Sequence, residues 1–299
     1  MENIEKHLKK KPKIALDAQR DKEMLRSLQL NAIEQRMQIL KLGHDLEIRL
    51  HYGAIMSSIE ILTTLYLYWM EYKPDVPNWP LRDRFILSKG HAAPGLYVIL
   101  ASCGFFPKQE FANFRKIGSI LQGHPDRTKT PGIDCTTGSL GQGFPVACGM
   151  ALAAKIDKSP YHVYTLLGDG ECNEGSIWEA ALIASNLGLS NIVALIDRNR
   201  QSSYGPMENR NDIEPLAEKW RAFGWVVEEC DGHDFVSITN ALASVEEDQK
   251  VPAAIICHTI KGKGIPWAEK QSRLPSNFFL DEEYYMEAMA YLQTLKQEI

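Results

Sequence analysis

The sequence lacks the features that would mark a membrane protein, a disulfide-rich secreted protein or a zinc protein. Its longest apolar stretch, Ile61 to Met70, is too short to span a bilayer, and its charged N-terminus has no apolar signal core. The six cysteines are scattered and include no Cys-x-x-Cys pair, which argues against a disulfide framework and against a zinc site. We therefore expect a cytoplasmic protein.

A concentrated basic surface is also missing. The net charge is −5, and the lysines and arginines are dispersed except for the run Lys9 to Lys11, so we expect neither nucleic acid nor a membrane as a partner. With 44% hydrophobic and 24% charged residues, the 299-residue chain has an ordinary soluble composition and can form one large α/β unit. We predict a polar N-terminal arm or an extra helix over residues 1–20, and a single domain over residues 21–299.

The chain from residue 162 onwards alternates between apolar runs and helical segments. Strands are predicted over residues 84–88, 162–167, 191–196, 224–229 and 253–258. Helices are predicted over residues 21–50, 57–71, 94–101, 144–155, 174–187, 212–223, 234–247 and from 281 onwards. This repeated β-α-β order predicts an α/β fold with a doubly wound, mainly parallel sheet flanked by helices. The uninterrupted run Ile192–Ile196 indicates a strand that is buried on both faces.

Two of the predicted strands are followed by polar residues that could hold a cation. One strand ends at Gly168–Gly170, which contains Asp169, and the next ends at Asp197–Asn199. Because parallel strands end at the same edge of a sheet, where ligands of such sheets bind, Asp169 and Asn199 should lie close together. Carboxylate and amide oxygens are suited to Mg²⁺ or Ca²⁺. Taken singly, Asp169 could instead be a helix N-cap and Asn199 a turn residue.

Three histidines and a glycine-rich segment lie in predicted breaks between helices and strands. His51, His91 and His124 all occupy such breaks, which favours a polar pocket for proton transfer. The glycines of residues 136–143 could present backbone N–H groups to phosphate oxygens, or could merely let a helix and a strand pack closely. Glu174, by its spacing alone, is expected to be a solvated cap residue.

In chain order, these segments resemble the thiamine-diphosphate-binding half of a transketolase, from about residue 25 to about residue 270. The resemblance implies transfer of a two-carbon ketol unit from a ketose, phosphorylated or otherwise anionic, to an aldose. The matching segments are His51–Ser57, Ser88–Ala92, Gly123–Asp126, Thr136–Gly143, Gly168–Gly170, Glu174–Gly175, Asp197–Asn199 and Lys261–Gly264.

The resemblance implies a role for each matching residue. Asp169, Asn199 and the backbone carbonyl of Gln201 would hold Mg²⁺ or Ca²⁺, which would bind the diphosphate. His51 and His124 would face the sugar, and His91 and Lys261 would lie near the diphosphate and the thiazolium ring. Glu174 would lie at a subunit interface in an acidic relay between two active sites, contrary to its spacing. The implied catalytic residues are His51, His91, His124 and Glu174. The implied cofactor contacts are His91, Gly138, Ser139, Leu140, Asp169, Gly170, Glu171, Asn199 and Lys261.

The resemblance also implies a partner. Transketolases are longer, and their second domain supplies the glutamate that acts on the aminopyrimidine ring of the cofactor. A chain that resembles only the first half implies a split enzyme. We therefore expect the partner to be a C-terminal transketolase subunit (the pyrimidine-binding half), with two copies of each chain in the complex. This chain alone should have no activity.

Two departures from the family pattern bear on the substrate. Leu274-Pro275-Ser276 stands where the family usually has Trp-His-Gly, and Leu50-His51 stands where it has Gly-His. Ala54 replaces a residue that is commonly small and polar. Since a donor-side histidine is lost at Pro275, a modified ketose such as a sulfo-sugar or a branched sugar is an alternative to ordinary sugar phosphates.

The same motifs leave some other functions open and argue against one. Within thiamine enzymes, a deoxyxylulose-phosphate synthase and a 2-oxoacid dehydrogenase component stay open, as does a non-catalytic, cofactor-binding regulatory subunit. A nicotinamide-dependent oxidoreductase should show Gly-x-Gly-x-x-Gly after its first strand and an acidic residue further on. The sequence contains neither feature in that context.

Overall fold

The computed structural model describes residues 13–202, 205–209, 211–246 and 250–299, and its centre is a parallel sheet of five strands. The sheet strands are β1 (Arg84–Leu87), β2 (Val163–Gly168), β3 (Ile192–Arg198), β6 (Val226–Asp231) and β7 (Ala253–His258), and a separate antiparallel pair is β4 (Gln201–Ser202) with β5 (Gly205–Pro206). The spatial order in the sheet is β1-β2-β3-β7-β6, and every neighbouring pair runs parallel. The predicted α/β fold is therefore confirmed.

Helices cover both faces of the sheet. This agrees with the strand sequences, which are apolar at successive positions and so have apolar side chains on both faces. On β2, Tyr164 and Leu166 pack into one core, whereas Val163 and Leu167 pack into the other. The α-helices are α1 (Lys22–Asp45), α2 (Tyr52–Met56), α3 (Ile59–Thr64), α4 (Ala93–Ser102), α5 (Gly143–Ile156), α6 (Gly175–Asn186), α7 (Leu216–Ala222), α8 (Phe235–Glu246), α9 (Pro266–Glu269) and α10 (Glu282–Glu298). Helices α1, α3, α4, α8 and α10 contribute to the first core, and α5, α6 and α7 contribute to the second.

Several predicted helix boundaries were wrong. The helix predicted over 57–71 begins at Ile59 as α3 and ends in a π-helical turn over Leu65–Trp69, and the turn before it contains Ser57, whose hydroxyl donates to the Asp197 carboxylate. The helix predicted over 21–50 ends at Asp45, and Glu47, just beyond it, has a φ of +50°. The predicted helix 212–223 is shorter and begins after Pro215. Short 3₁₀ turns occupy Gly90–Ala92, Lys108–Asn113, Gly170–Asn173 and Met207–Asn209.

The predicted N-terminal arm lies partly outside the described residues, which begin at Lys13. From there the chain is not helical and packs on the domain. Leu16 is buried and its N–H donates to the Thr239 hydroxyl, 3.0 Å away. Lys13 forms an ion pair with Glu246 at 3.2 Å. The division at residue 20 stays a prediction. Among the described residues, no helix is long and apolar enough to cross a membrane.

Candidate active site

A cavity of about 500 Å³ opens at the carboxyl-terminal edge of the sheet. The segments that follow β1, β2, β3 and β7 line it, together with the start of α2. This edge is where parallel α/β sheets bind their ligands. The sequence-predicted residues that this wall brings together are His51, His91, Leu140, Asp169, Gly170, Glu171, Glu174, Asn199, Gln201 and Lys261.

Asp169 and Asn199 both line the cavity, as their positions after neighbouring parallel strands predict. The carboxylate of Asp169 is 3% exposed and accepts hydrogen bonds from the backbone N–H groups of Gly170, at 2.7 Å, and Arg200, at 2.5 Å. Burial, and then the nearby charge of Asp197, raise the pKa of Asp169 to about 7. Among the described residues, no lysine or arginine forms an ion pair with it. A bound cation would offset the cost of burying this carboxylate.

The oxygens around Asp169 fit a hard divalent cation. The Asn199 side-chain N–H donates to Asp197, at 3.3 Å, and its Oδ1 accepts from the Gln201 N–H, at 3.1 Å. These bonds orient the Asn199 amide at the cavity wall. The described chain contains no cluster of three or more His, Cys, Asp or Glu side chains suited to a metal. The predicted set differs from such a cluster, since it combines one carboxylate with an amide oxygen and a backbone carbonyl.

A buried ion pair lies beneath the cation candidates. Lys89 Nζ is 2.5 Å from Asp197 Oδ2, and both side chains are at most 1% exposed. Lys89 also donates to the Ala54 carbonyl, at 2.8 Å, and the Ser57 and Thr259 hydroxyls donate to Asp197. Burial alone would raise the pKa of Asp197, but Lys89 and these donors hold it below its ordinary value. The pair therefore ties together the ends of β1, β3 and β7 and the helix α2.

Glu171 braces three loops of the site. Its Oε1 accepts from the Ser88 hydroxyl, at 2.5 Å, and from the Gly141 N–H, at 2.9 Å, while its Oε2 accepts from the Gly168 N–H, at 3.1 Å. The side chain is 2% exposed. These three hydrogen bonds join the segments that follow β1 and β2 to the glycine-rich segment. Glu171 also lines the cavity, and its direct contact with the cofactor stays a prediction.

The three histidines lie near one another, and His51 and His91 line the cavity. The rings of His51 and His91 meet edge to face, with centroids 5.1 Å apart. Burial, and then the nearby Lys89, lower the pKa of His91 to about 3, and burial also lowers the pKa of His51 and of His124. His124 is not part of the cavity wall and lies near Gly138, where a Cβ would be 3.6 Å from its ring. All three imidazoles are therefore neutral near pH 7 and can each donate or accept a hydrogen bond.

The glycine-rich segment has two functions along its length. A Cβ on Gly141 would lie 2.6 Å from Glu174 Cβ, and one on Gly143 would lie 2.7 Å from Ser88 Cα. These two glycines allow close packing, which is the structural alternative considered from the sequence. A Cβ on Gly138 would meet nothing closer than 3.6 Å, so this part of the loop leaves room beside His124.

Lys261 and Glu174 occupy two other walls. Lys261 is 7% exposed and its ammonium donates to the Ser202 carbonyl, at 2.9 Å, and the Gln201 carbonyl, at 3.4 Å. It therefore lies beside the proposed metal-binding carbonyl. Glu174 is exposed at the residue before α6. Ser139 is exposed and is not part of the cavity wall.

The segment that departs from the family pattern reaches the cavity. Ser276 lines it, and the Ser276 backbone forms a hydrogen bond with His51. Pro275 is exposed and Leu274 is buried. The Ser276 backbone therefore lies beside His51, and the preceding residue, which corresponds to the family histidine, is the exposed Pro275.

Sequence reasoning missed the roles of Lys89, Asp197 and Ser88, although it placed all three within motifs. One signal was available for Asp197. It directly follows a strand that is buried on both faces, and a charge at such a position needs a partner. Nothing in the sequence identified Lys89, 108 positions away, as that partner.

The chain is similar to transketolases and to subunits of them. A family model described as the transketolase thiamine diphosphate binding domain matches residues 24–277. The 6-deoxy-6-sulfo-D-fructose transketolase subunit SqwG of Clostridium sp. (strain MSTE9) is 42% identical over 279 residues, which cover 93% of this chain and 97% of that protein. One subunit of the apulose-4-phosphate transketolase of Phocaeicola vulgatus is 40% identical over 243 residues, which cover 81% of this chain and 86% of that protein.

Most of this chain also aligns with full-length transketolases, but it covers less than half of each of them. The transketolase of Homo sapiens is 42% identical over 255 residues, covering 83% of this chain and 40% of that protein. The crystal structure of the Campylobacter jejuni transketolase superposes with a TM-score of 0.81 at 28% identity, covering 91% of this chain and 45% of that one. A Pichia stipitis transketolase solved with sedoheptulose-7-phosphate gives a TM-score of 0.74 at 27% identity and the same coverages. The chain thus spans about half the length of these transketolases.

Proposed function

This chain belongs to the transketolase family as its N-terminal, thiamine-diphosphate-binding subunit, and on that premise we propose how its residues bind the cofactor, the metal and the partner. The proposed activity is transfer of a two-carbon ketol unit from an anionic ketose to an aldose, in a complex with a pyrimidine-binding subunit. The observation that carries this proposal is the buried Asp169 carboxylate, which has no described cationic partner and lies beside Asn199 on the cavity wall.

The proposed cofactor site follows the walls of the cavity. Asp169, Asn199 and the Gln201 carbonyl would hold Mg²⁺ or Ca²⁺, and the cation would bind the diphosphate. Bound thiamine diphosphate would supply the carbanion chemistry, which no side chain of this protein can provide. The other direct contacts that we assign on the wall are His91, Leu140, Gly170, Glu171 and Lys261, and Gly138 and Ser139 would join them from the loop just before Leu140.

The proposed task of the histidines is to hold the sugar and to move protons. His51 and His124 would hydrogen-bond the carbonyl and hydroxyl oxygens of the substrate, and His91 would stand between them and the cofactor. The neutral state of all three imidazoles supports this task, since a neutral ring can donate at one nitrogen and accept at the other.

A partner subunit is proposed for three reasons. The two relatives that match along most of their length carry the word subunit in their names. Glu174, which we assign to an acidic relay between two sites, is exposed at the cavity edge. Apolar side chains on the neighbouring helices α5 and α6 are also exposed, with fractions of 42% for Val146, 49% for Leu182 and 56% for Ile183. We propose a heterotetramer, with two copies of this chain meeting at this surface.

We expect ketol transfer only when both subunits are mixed. The chain should be inactive alone and should gain activity with a candidate pyrimidine-binding subunit from the same genome, at a one-to-one ratio. The measurement is ketol transfer from a ketose to an aldose, with molar mass from light scattering. Full activity of the isolated chain would contradict the split-enzyme proposal. Absence of thiamine diphosphate binding by the assembled pair, measured by calorimetry, would favour a regulatory subunit instead.

A modified ketose is the second candidate donor. Pro275 stands where the family pattern has a histidine, and the Ser276 backbone next to it bonds to His51. The relative that matches along 97% of its length is named for 6-deoxy-6-sulfo-D-fructose, and another is named for apulose-4-phosphate. Both substrates carry an anionic group.

A donor screen with the reconstituted pair should separate these candidates. If the donor site is adapted to a modified ketose, its kcat/KM should exceed that of xylulose 5-phosphate by about 10-fold or more, as for a contact worth about 1.4 kcal/mol. Equal or lower kcat/KM for every modified ketose would assign the chain to ordinary sugar phosphates. Pro275→His is the matched variant, because it restores the histidine of the family pattern. It should reduce the ratio of kcat/KM for the modified ketose to kcat/KM for xylulose 5-phosphate. The cytoplasmic location stays a prediction, which cell fractionation would test.

A further inference from the structure

A buried ion pair lies outside the cavity, between α1 and α3. Both nitrogens of the Arg36 guanidinium end donate to Glu60, at 2.6 and 2.7 Å, and both residues are less than 10% exposed. Burial would raise the pKa of Glu60, but Arg36 and His233 outweigh burial and hold it at about 2. Glu60 is therefore a carboxylate at any ordinary pH, and it has two partners.

His233 joins this ion pair to the loop after β7. Its Nδ1 lies 3.0 Å from Glu60 Oε2, and the Ile260 N–H donates to its Nε2 at 2.8 Å. Because Nε2 accepts a hydrogen bond, the ring proton is on Nδ1 and is donated to Glu60. Tautomer and ring orientation are thus fixed from both sides.

Arg36 holds the other end of the same loop. Its Nε donates to the Lys263 carbonyl, at 3.0 Å, and one terminal nitrogen donates to the Met56 carbonyl, at 3.1 Å. Gly264 lies against the arginine: its φ is +87°, and a Cβ there would be 2.6 Å from Arg36 Cδ. The loop therefore requires glycine at 264 in order to receive the arginine.

The two attachment points flank Lys261, whose ammonium lies at the cavity. Between them, the Gly262 N–H donates to the Gly53 carbonyl, at 3.1 Å, which ties the loop to α2 next to His51. A Cβ on Gly53 would lie 2.9 Å from the Lys261 side chain. The backbone on both sides of Lys261 is therefore fixed by groups that do not themselves reach the cavity.

We propose that Arg36, Glu60 and His233 are positioning residues, which hold the 260–264 backbone so that Lys261 faces the cofactor site. This inference rests on the proposed function of Lys261. Buried ion pairs contribute little net stability compared with apolar residues of similar volume, so the geometry that this one fixes is the better account of it. Side chains that orient a binding residue in this way typically change affinity about 10–100-fold when they are removed.

Two substitutions of His233 separate positioning from general stability. His233→Gln can place an amide oxygen where Nε2 lies, which keeps the bond to Ile260 and gives up the bond to Glu60. His233→Asn can place an amide N–H where Nδ1 lies, which keeps the bond to Glu60 and gives up the bond to Ile260. Both variants have similar size and polarity, so each serves as the other's control. Val245→Ala, a buried substitution at the far end of α8, controls for lost stability.

The test is performed on the full chain assembled with its partner. Calorimetry with thiamine diphosphate and Mg²⁺ should give a Kd raised about 10-fold or more in His233→Asn and near the wild-type value in His233→Gln and Val245→Ala. Hydrogen exchange of a peptide spanning residues 259–265 should accelerate in His233→Asn only. Equal Kd values in the two His233 variants, or an equal rise in Val245→Ala, would overturn the positioning role. If the wild-type assembly does not bind thiamine diphosphate, the proposed function is wrong. The hydrogen exchange of residues 259–265 then tests by itself whether His233 holds this loop.

Discussion

Asp169→Ala should abolish metal-dependent binding of thiamine diphosphate while the protein remains folded. The carboxylate is the anionic member of the proposed ligand set, and its loss removes the main electrostatic attraction for the cation. We expect the Kd for the cofactor in the presence of Mg²⁺ to rise by at least about 100-fold, the upper range for disturbing even an outer partner of a metal site. Calorimetry on the complex with its partner is the measurement.

The fold should survive because Asp169 contributes a charge that burial disfavours. The hydrogen bonds that its carboxylate accepts come from the backbone N–H groups of Gly170 and Arg200. Replacing Asp169 therefore breaks up no pair of side chains. Asp169→Asn is the matched control, since it keeps the shape and one acceptor oxygen but removes the charge. It should lose metal-dependent binding as well, with a circular dichroism spectrum like that of the wild type. Cofactor affinity that is unchanged in both variants would refute the assignment of Asp169.

Lys89→Met should produce the largest loss of stability among the changes considered. It leaves the Asp197 carboxylate, which is fully buried, without its cation, and breaking a buried pair in this way typically costs about 3–5 kcal/mol. The free energy of unfolding, from urea titration of the full chain, should fall by this amount. Cofactor affinity should also fall, because the pair joins the loops that carry His91 and Asn199.

A second substitution should restore the stability. Asp197→Asn removes the charge. Its amide oxygen can take the Oδ1 position and accept from the Thr259 hydroxyl, and its amide N–H group can take the Oδ2 position and donate to the Ser57 hydroxyl, which can donate to the Ala54 carbonyl. The double variant Lys89→Met with Asp197→Asn should therefore recover most of the lost free energy of unfolding. If Lys89→Met alone changes stability by less than about 1 kcal/mol, the ion pair is not what holds these loops together.

Much of the fold could be predicted because burial leaves a direct mark on the sequence. The run Ile192–Ile196 is apolar at every position, and it is indeed a strand buried on both faces. Strand β7 was predicted with its observed bounds for the same reason. Helix ends were predicted less well. The turn between α2 and α3 contains Ser57, whose hydroxyl donates to Asp197, 140 positions away, and local periodicity contains no information about that contact.

The sequence alone determined which residues end the strands and hence that Asp169 and Asn199 share one edge of the sheet. That follows because parallel neighbouring strands have a single common direction. Only the tertiary structure decided which charged side chains form ion pairs near that edge, and which carboxylate has no such partner and can bind a cation. Asp197 forms an ion pair with Lys89, and Glu60 forms one with Arg36. Among the described residues, Asp169 accepts hydrogen bonds only from backbone N–H groups. Pairing of this kind depends on distances between loops that are far apart in the chain, so no local pattern of residues could reveal it.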